Sequence, residues 1–222
     1  MLKTGWTLLR NNFSLRPAHL AFLFRHATKL FLFNVETRNA FAEHYGEFNR
    51  DRDLRPFRLV NPTSEGGAII GDVVYFAKQV DIGDGEVLFA GDRNAVKPIW
   101  SSCFPVEQMI TCGLHDMDIG WDFEQPIPEA LDAHRFRLIV SQAMLEHLVN
   151  PFQHVKDLAS LLDHGGVLVL HSELPGFFYH RVPIDCLRFY PDWFEGVAGR
   201  FGLKILDKQI SVFHITYKMQ KP

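Results

Sequence analysis

The sequence predicts an α/β protein in which residues 68–222 form a doubly wound, mostly parallel sheet, preceded by an N-terminal helical cap and connector over residues 1–67. Three observations predict it. Short, strongly apolar runs punctuate the second part of the chain, too apolar for strands with one face in water. Between two of them lies a helix with its own start and stop signals, the pattern of a βαβ unit. Polar residues cluster where the runs end, and open α/β sheets bind ligands outside the carboxyl ends of their strands.

Residues 13–48 read as one or two helices, because Phe22, Leu30, Phe33, Phe41, Tyr45 and Phe48 recur between Arg, His, Lys and Glu. The greasiest stretch, Leu20–Val35, is interrupted by Arg25, His26 and Lys29, which rules out an ordinary membrane span. Such a stripe packs on its own domain, lies on a membrane surface or joins two copies, so peripheral membrane contact and a homodimer through this helix both stay open. Its tail, Phe41–Phe48, suits either a lid or simple packing on the sheet. Residues 49–67 turn charged and carry Pro and Gly, as a connector does.

Glu86–Ala90, closed by Gly91, reads as the first strand of the sheet. Gln108–Cys112 and Phe136–Val140 follow as the second and third. Asn150 then caps a helix with Pro151 at its first position and Phe152, Val155, Leu158 and Leu162 at helical spacing. Gly165-Gly166 is expected to end that helix in a left-handed turn. Val167–Leu170 is a buried strand, and Leu203–Leu206 and Phe213–Tyr217 add two more. Strand order is not contained in periodicity.

Composition narrows the function. Apolar residues make up 47% of the 222 and charged residues 22%, an ordinary globular balance. The formal net charge of −3 argues against a chain built to grip nucleic acid. Cys103, Cys112 and Cys186 are irregularly spaced without a CxxC pair, giving neither a disulfide framework nor a zinc site. With no signal-peptide pattern at the N-terminus, the expected location is cytoplasmic.

The loops after Ala90, Val140 and Leu170 carry the polar residues: Gly91-Asp92-Arg93, Ser141-Gln142 with Glu146-His147, and His171-Ser172-Glu173. The stretch FRLIVSQAMLEHLVNPFQHVKDLASLLDHGGVLVL resembles the fourth strand, following helix and fifth strand of class I S-adenosylmethionine-dependent methyltransferases, through Leu145-Glu146-His147 and Gly165-Gly166. Pro175, His180, Pro183, Asp185, Arg188, Phe189 and Pro191 resemble a loop of a bacterial subgroup associated with sugar or surface-polysaccharide modification. The resemblance covers roughly residues 86–217 and implies a Rossmann-like fold with S-adenosylmethionine as cofactor. One loop departs from it. The family's D-x-G-x-G-x-G appears here as Phe89-Ala90-Gly91-Asp92-Arg93-Asn94-Ala95, so Arg93 stands where bare backbone would meet the cofactor.

The resemblance places the cofactor against Gly91, Asp92 and Arg93, with Asp116 as the late acid of the second strand. Asp122 and Phe123 flank its adenine, and Ser141, Gln142 and Glu146 stand after the fourth strand. Methyl transfer needs in-line positioning and, for a hydroxyl acceptor, a base, a task that suits histidine near neutral pH. His147 is one candidate base, or a structural cap. His180 with Asp185 is another, and Arg188 either holds the acceptor or staples the loop through Asp185. His171, Glu173, His180 and Asp185 could together ligate a divalent cation, but their spacing matches no metal motif, so no metal is assigned. The expected activity is O-methylation of a small, sugar-like molecule. Two alternatives stand beside it: a non-catalytic relative acting as a partner or regulatory subunit, and a nucleotide-dependent transferase whose Arg93 clamps phosphate.

Overall fold

Seven strands form the sheet: β1 (Glu86–Ala90), β2 (Met109–Gly113), β3 (Ile119–Gly120), β4 (Phe136–Gln142), β5 (Leu162–Glu173), β6 (Lys204–Ile210) and β7 (His214–Gln220). They pair in the order β3-β2-β1-β4-β5-β7-β6. The computed structural model describes residues 59–60, 69–175, 177, 179–181, 183–210 and 214–222. The chain divides into two units, Met1–Phe48 and Asn49–Pro222. The helical cap expected over residues 13–48, with its lid, dimer and membrane roles, lies outside the described residues, as does most of the 49–67 connector.

Strands β3, β2, β1, β4 and β5 run parallel, whereas β7 is antiparallel to both β5 and β6. From β1 the chain steps outward to β2 and β3, then crosses to the other side of β1 for β4. That reversal opens a crevice at the carboxyl ends of β1 and β4, the switch point at which such sheets bind ligands.

The sheet is covered on both faces. Alternate residues of its central strands, Val87 and Phe89, Leu138 and Val140, Val167 and Val169, join one buried cluster with Val73, Phe76 and Ala77 of α1 (Gly71–Ala77). Trp100 of α2 (Lys97–Trp100) belongs to the same cluster, its ring 5.0 Å from that of Phe89. Burying Phe76 alone stabilises the fold by roughly 2–3 kcal/mol. Helices α3 (Pro151–Leu161) and α4 (Pro191–Phe201) lie on the other face. The register shows it: Lys218 of β7 reaches Gln79 just after α1, while its neighbour Tyr217 stacks on Phe194 of α4.

Asn150 caps α3 as expected, its side chain accepting from the Gln153 amide at 3.2 Å, with Pro151 opening the helix. The expected stop at Gly165-Gly166 is corrected. Helix α3 ends at Leu161 and the chain turns extended at Leu162, because Leu161 and Leu162 are both buried. Gly165-Gly166 instead forms an irregularity inside β5, between the pairs Phe136–Leu162 and Leu138–Val167. Gly165 takes a φ of +72° there, and a Cβ on Gly166 would lie 2.7 Å from the Phe136 carbonyl oxygen. Among the described residues no helix is long and apolar enough to cross a membrane.

Candidate functional site

Strand β1 delivers Gly91 to the crevice with a φ of +98°, and its N–H donates to the Cys112 carbonyl of β2 at 2.8 Å. Gly113, at the end of β2, also has a positive φ, +152°. The cavity these backbones bound measures about 360 Å³ and reaches Asp122 and Phe123 after β3, Met144, His147 and Leu148 after β4, and Pro183 and Ile184 of the later loop. Its volume is in the range of small-molecule sites.

Two methionines lie against the glycines. A Cβ on Gly91 would come within 2.4 Å of Met144 Cγ, and one on Gly113 within 2.5 Å of Met117 Sδ. The glycine backbones are therefore approached closely, and by flexible thioether side chains able to repack around another occupant.

The expected site residues separate into layers. Gly91, Arg93, Asp122, Phe123 and His147 line the cavity. Asp92 and Gln142 sit beneath it: Gln142 Nε2 donates to both Asp92 carboxylate oxygens, at 2.8 and 3.0 Å, and Gln142 Oε1 accepts from the Ile70 amide at 3.1 Å. Burial pushes the Asp92 carboxyl up to about 6, and the Gln142 hydrogen bond opposes that rise. Ser141 turns to the α3 side, 3.2 Å from His154 Nε2. Asp116 is exposed, with a φ of +55°, and is not among the lining residues; its carbonyl accepts from the Asn94 amide. Asp118, two residues later, takes the structural role, accepting from the Thr111 amide at 2.9 Å and from Lys97.

Behind His147 lies a cluster of ionisable side chains. His147 Nδ1 is 2.5 Å from the Ile184 carbonyl oxygen, which accepts only, so Nδ1 carries the proton and Nε2 is the lone-pair nitrogen of the neutral ring. Nε2 lies 3.9 Å from Oε1 of Glu146. Glu146 is fully buried; its Oε2 accepts from Ser172 Oγ at 2.7 Å, and its Oε1 has no hydrogen-bond partner among the described residues. Its backbone carbonyl accepts from the amides of Cys186 and Leu187 and so anchors the 183–188 loop. Glu173 lies beside it, and burial with the adjoining Glu146 carboxylate pushes the Glu173 carboxyl up to about 9.

Asp185 and Arg188 form an ion pair, with Arg188 Nη2 2.7 Å from Asp185 Oδ2. The guanidinium holds the Asp185 carboxyl well below the usual carboxylate range. The His180 amide donates to the same Oδ2 at 2.7 Å, while its ring stands edge-on to His147 at 4.9 Å. His180, Asp185 and Arg188 are not among the residues lining the cavity. His171, weighed above as a ligand with Glu173, His180 and Asp185, pairs instead with His214, the rings' facing nitrogens 3.3 Å apart.

Sequence reasoning missed Met144, Met117, Leu114, His115, Leu148 and Ile184 as lining residues. They are apolar or loop positions carrying no motif, and only the closure of the sheet brings them together. Glu173 is weighed in the sequence only as one member of an unassigned cation set, and its pairing with Glu146 is not legible there because the two belong to different strand ends.

Neither a protein-family model nor a curated protein matches the sequence. Solved structures do match. One from Bacillus halodurans, described as a methyltransferase, is 14% identical over 68% of this chain and 99% of its own, with a TM-score of 0.52. An S-adenosylmethionine-dependent methyltransferase from Clostridium acetobutylicum is 10% identical over 68% of this chain and 89% of its own, with a TM-score of 0.51. At such identities the likeness is one of architecture, and with the strand order above it gives the conclusion: this chain has the Rossmann-like class I methyltransferase fold.

Proposed function

We propose that this chain transfers a methyl group from S-adenosylmethionine to a hydroxyl of a small, sugar-like molecule, of the kind found in polysaccharide modification. One observation carries the reading: a cavity at the switch point bounded by two close-approach glycines, an aromatic wall and a histidine with an available lone pair. The residues present suit the cofactor. Gly91 and Gly113 offer bare backbone once Met144 and Met117 swing aside, and Phe123 with Asp122 flanks the adenine. When bound, S-adenosylmethionine supplies a methyl group already activated for transfer. The chain contributes position and a base. Leu148 and Ile184 exclude water, and His147 Nε2 takes the acceptor hydroxyl's proton while Ile184 fixes the ring. The free thiols of Cys103, Cys112 and Cys186 suit the reducing cytoplasm.

A second reading rests on Arg93, which lines the cavity beside His115. A guanidinium suits phosphate better than a sulfonium, which favours a nucleotide-dependent transferase. Calorimetry and thermal shift with S-adenosylmethionine, its demethylated product and a nucleoside diphosphate separate these readings. Binding of the first two supports methyl transfer. Binding of the diphosphate alone supports the second reading, and indifference to all three leaves a non-catalytic partner protein.

A further inference from the structure

We propose that Glu146, His147 and His180 form a binding site for a divalent transition-metal ion, zinc or a first-row neighbour, in the wall of the cavity. One ligand atom from each of the three lies within 4.8 Å of the others. Ligand atoms around tetrahedral zinc, each about 2.0–2.1 Å from the ion, stand roughly 3.4 Å apart, so closure asks for side-chain rotations only. Two imidazoles and a carboxylate form a donor set that zinc and ferrous ions take, leaving a position open.

The surroundings orient the donors as metal sites require. His147 Nδ1 donates to the Ile184 carbonyl, which fixes the tautomer and leaves the Nε2 lone pair 3.9 Å from Glu146 Oε1. Ser172 holds the other carboxylate oxygen, Oε2, at 2.7 Å. Oε1 is thereby turned toward the histidines and fully buried, with the neighbouring Glu173 carboxyl as a candidate donor among the described residues. A buried carboxylate oxygen in that state calls for a proton or a cation. His180 has a carboxylate beside either ring nitrogen, Glu173 Oε1 3.8 Å from Nε2 and Asp185 Oδ2 3.7 Å from Nδ1. Whichever nitrogen turns to the ion, the other keeps an acceptor for its proton.

The site stands on this geometry; its use in the reaction rests on the methyl-transfer reading. His147 is the member that lines the cavity, so an ion held on its ring lies next to the bound acceptor. The Nε2 lone pair serves one role at a time. It is a base in the metal-free chain and a ligand in the loaded one, where the ion takes over activation of the hydroxyl. The rival occupant of Glu146 Oε1 is a proton shared with Glu173.

The test uses the full, tag-free chain, stripped with chelator and dialysed against cobalt(II) and then zinc(II). The expected result is one equivalent bound, weakened at least about tenfold by His147→Ala and by His180→Ala. His164→Ala, at an exposed histidine outside the cluster, retains full binding. The melting curve of each variant verifies folding, and His180, in the loop, is the substitution the fold tolerates best. No stoichiometric metal, or equal binding by all three variants, overturns the proposal. Cofactor calorimetry in chelator is read separately, so failure of the metal site and failure of the methyl-transfer reading are told apart.

Discussion

Gln142, the last residue of β4, spans the switch point to Asp92, donating to both carboxylate oxygens while its own Oε1 receives the Ile70 amide at the start of α1. One side chain thus ties together β1, β4 and the first helix directly beneath the cavity. Gln142→Leu leaves a buried carboxylate and a backbone amide unpartnered, and a loss of about 3 kcal/mol is expected in urea denaturation. A loss under 1 kcal/mol would mean that the cross-link is incidental.

Asp92 itself titrates in a measurable window. Its folded pKa, about 6, lies above the ordinary value of 3.8, so the folded chain binds the proton more tightly than the unfolded one. The stability it contributes is fully present below pH 4 and is lost as pH rises through 6. Asp92→Asn is expected to gain about 3 kcal/mol at pH 7 relative to the parent chain, a gain that shrinks toward pH 4. A difference independent of pH would contradict this.

His154 and His214 act in the opposite direction. Burial lowers them to about 3 and about 4, so each is held neutral in the fold. A depressed histidine contributes stability above about pH 6.5, and that stability is lost as pH falls, by up to about 1.4 kcal/mol per pH unit for each group. Replacing His154 with Asn should flatten the decline in stability between pH 6.5 and 4.5. An unchanged slope would refute the assignment.

Gly91→Ala puts a Cβ at a φ of +98° and within 2.4 Å of Met144 Cγ. The backbone strain costs about 1–3 kcal/mol, and the cofactor-induced thermal shift is expected to vanish. Combining it with Met144→Ala relieves the clash and leaves the strain, so the double variant should recover only part of the loss. Full recovery would show that the dihedral is not the constraint.

Arg188→Ala removes the partner of Asp185, and Asp185 also receives the His180 amide. The 183–189 loop should loosen, with faster hydrogen exchange at the Cys186 and Leu187 amides that bond the Glu146 carbonyl. Arg188→Lys should restore protection only in part, because an ammonium cannot reproduce the two-pronged contact. Exchange rates equal to those of the parent chain would show that the pair does not hold the loop.

The sheet was legible because its signals are local. Apolar runs at Glu86–Ala90 and Val167–Leu170, and the Asn150-Pro151 cap, each name an element from a few neighbouring residues. Helix α1 escaped notice, since Gly71–Ala77 is short and begins without a capping side chain. Gly165-Gly166 misled for a related reason: a glycine pair marks an unusual backbone, and packing chose a strand irregularity over a helix end. At the site, Gly91, Arg93, Asp122, Phe123 and His147 could be named from the resemblance.

The sequence by itself determined which residues stand at the strand ends, because strand length and loop position follow from short-range pattern. Only the tertiary structure decided which of them face the cavity. Ser141 and Gln142 are chain neighbours on opposite sides of one strand, and Glu146 meets Glu173 across two strand ends. Those choices depend on register and on contacts between residues distant in sequence, where side-chain direction alternates with every step along the strand.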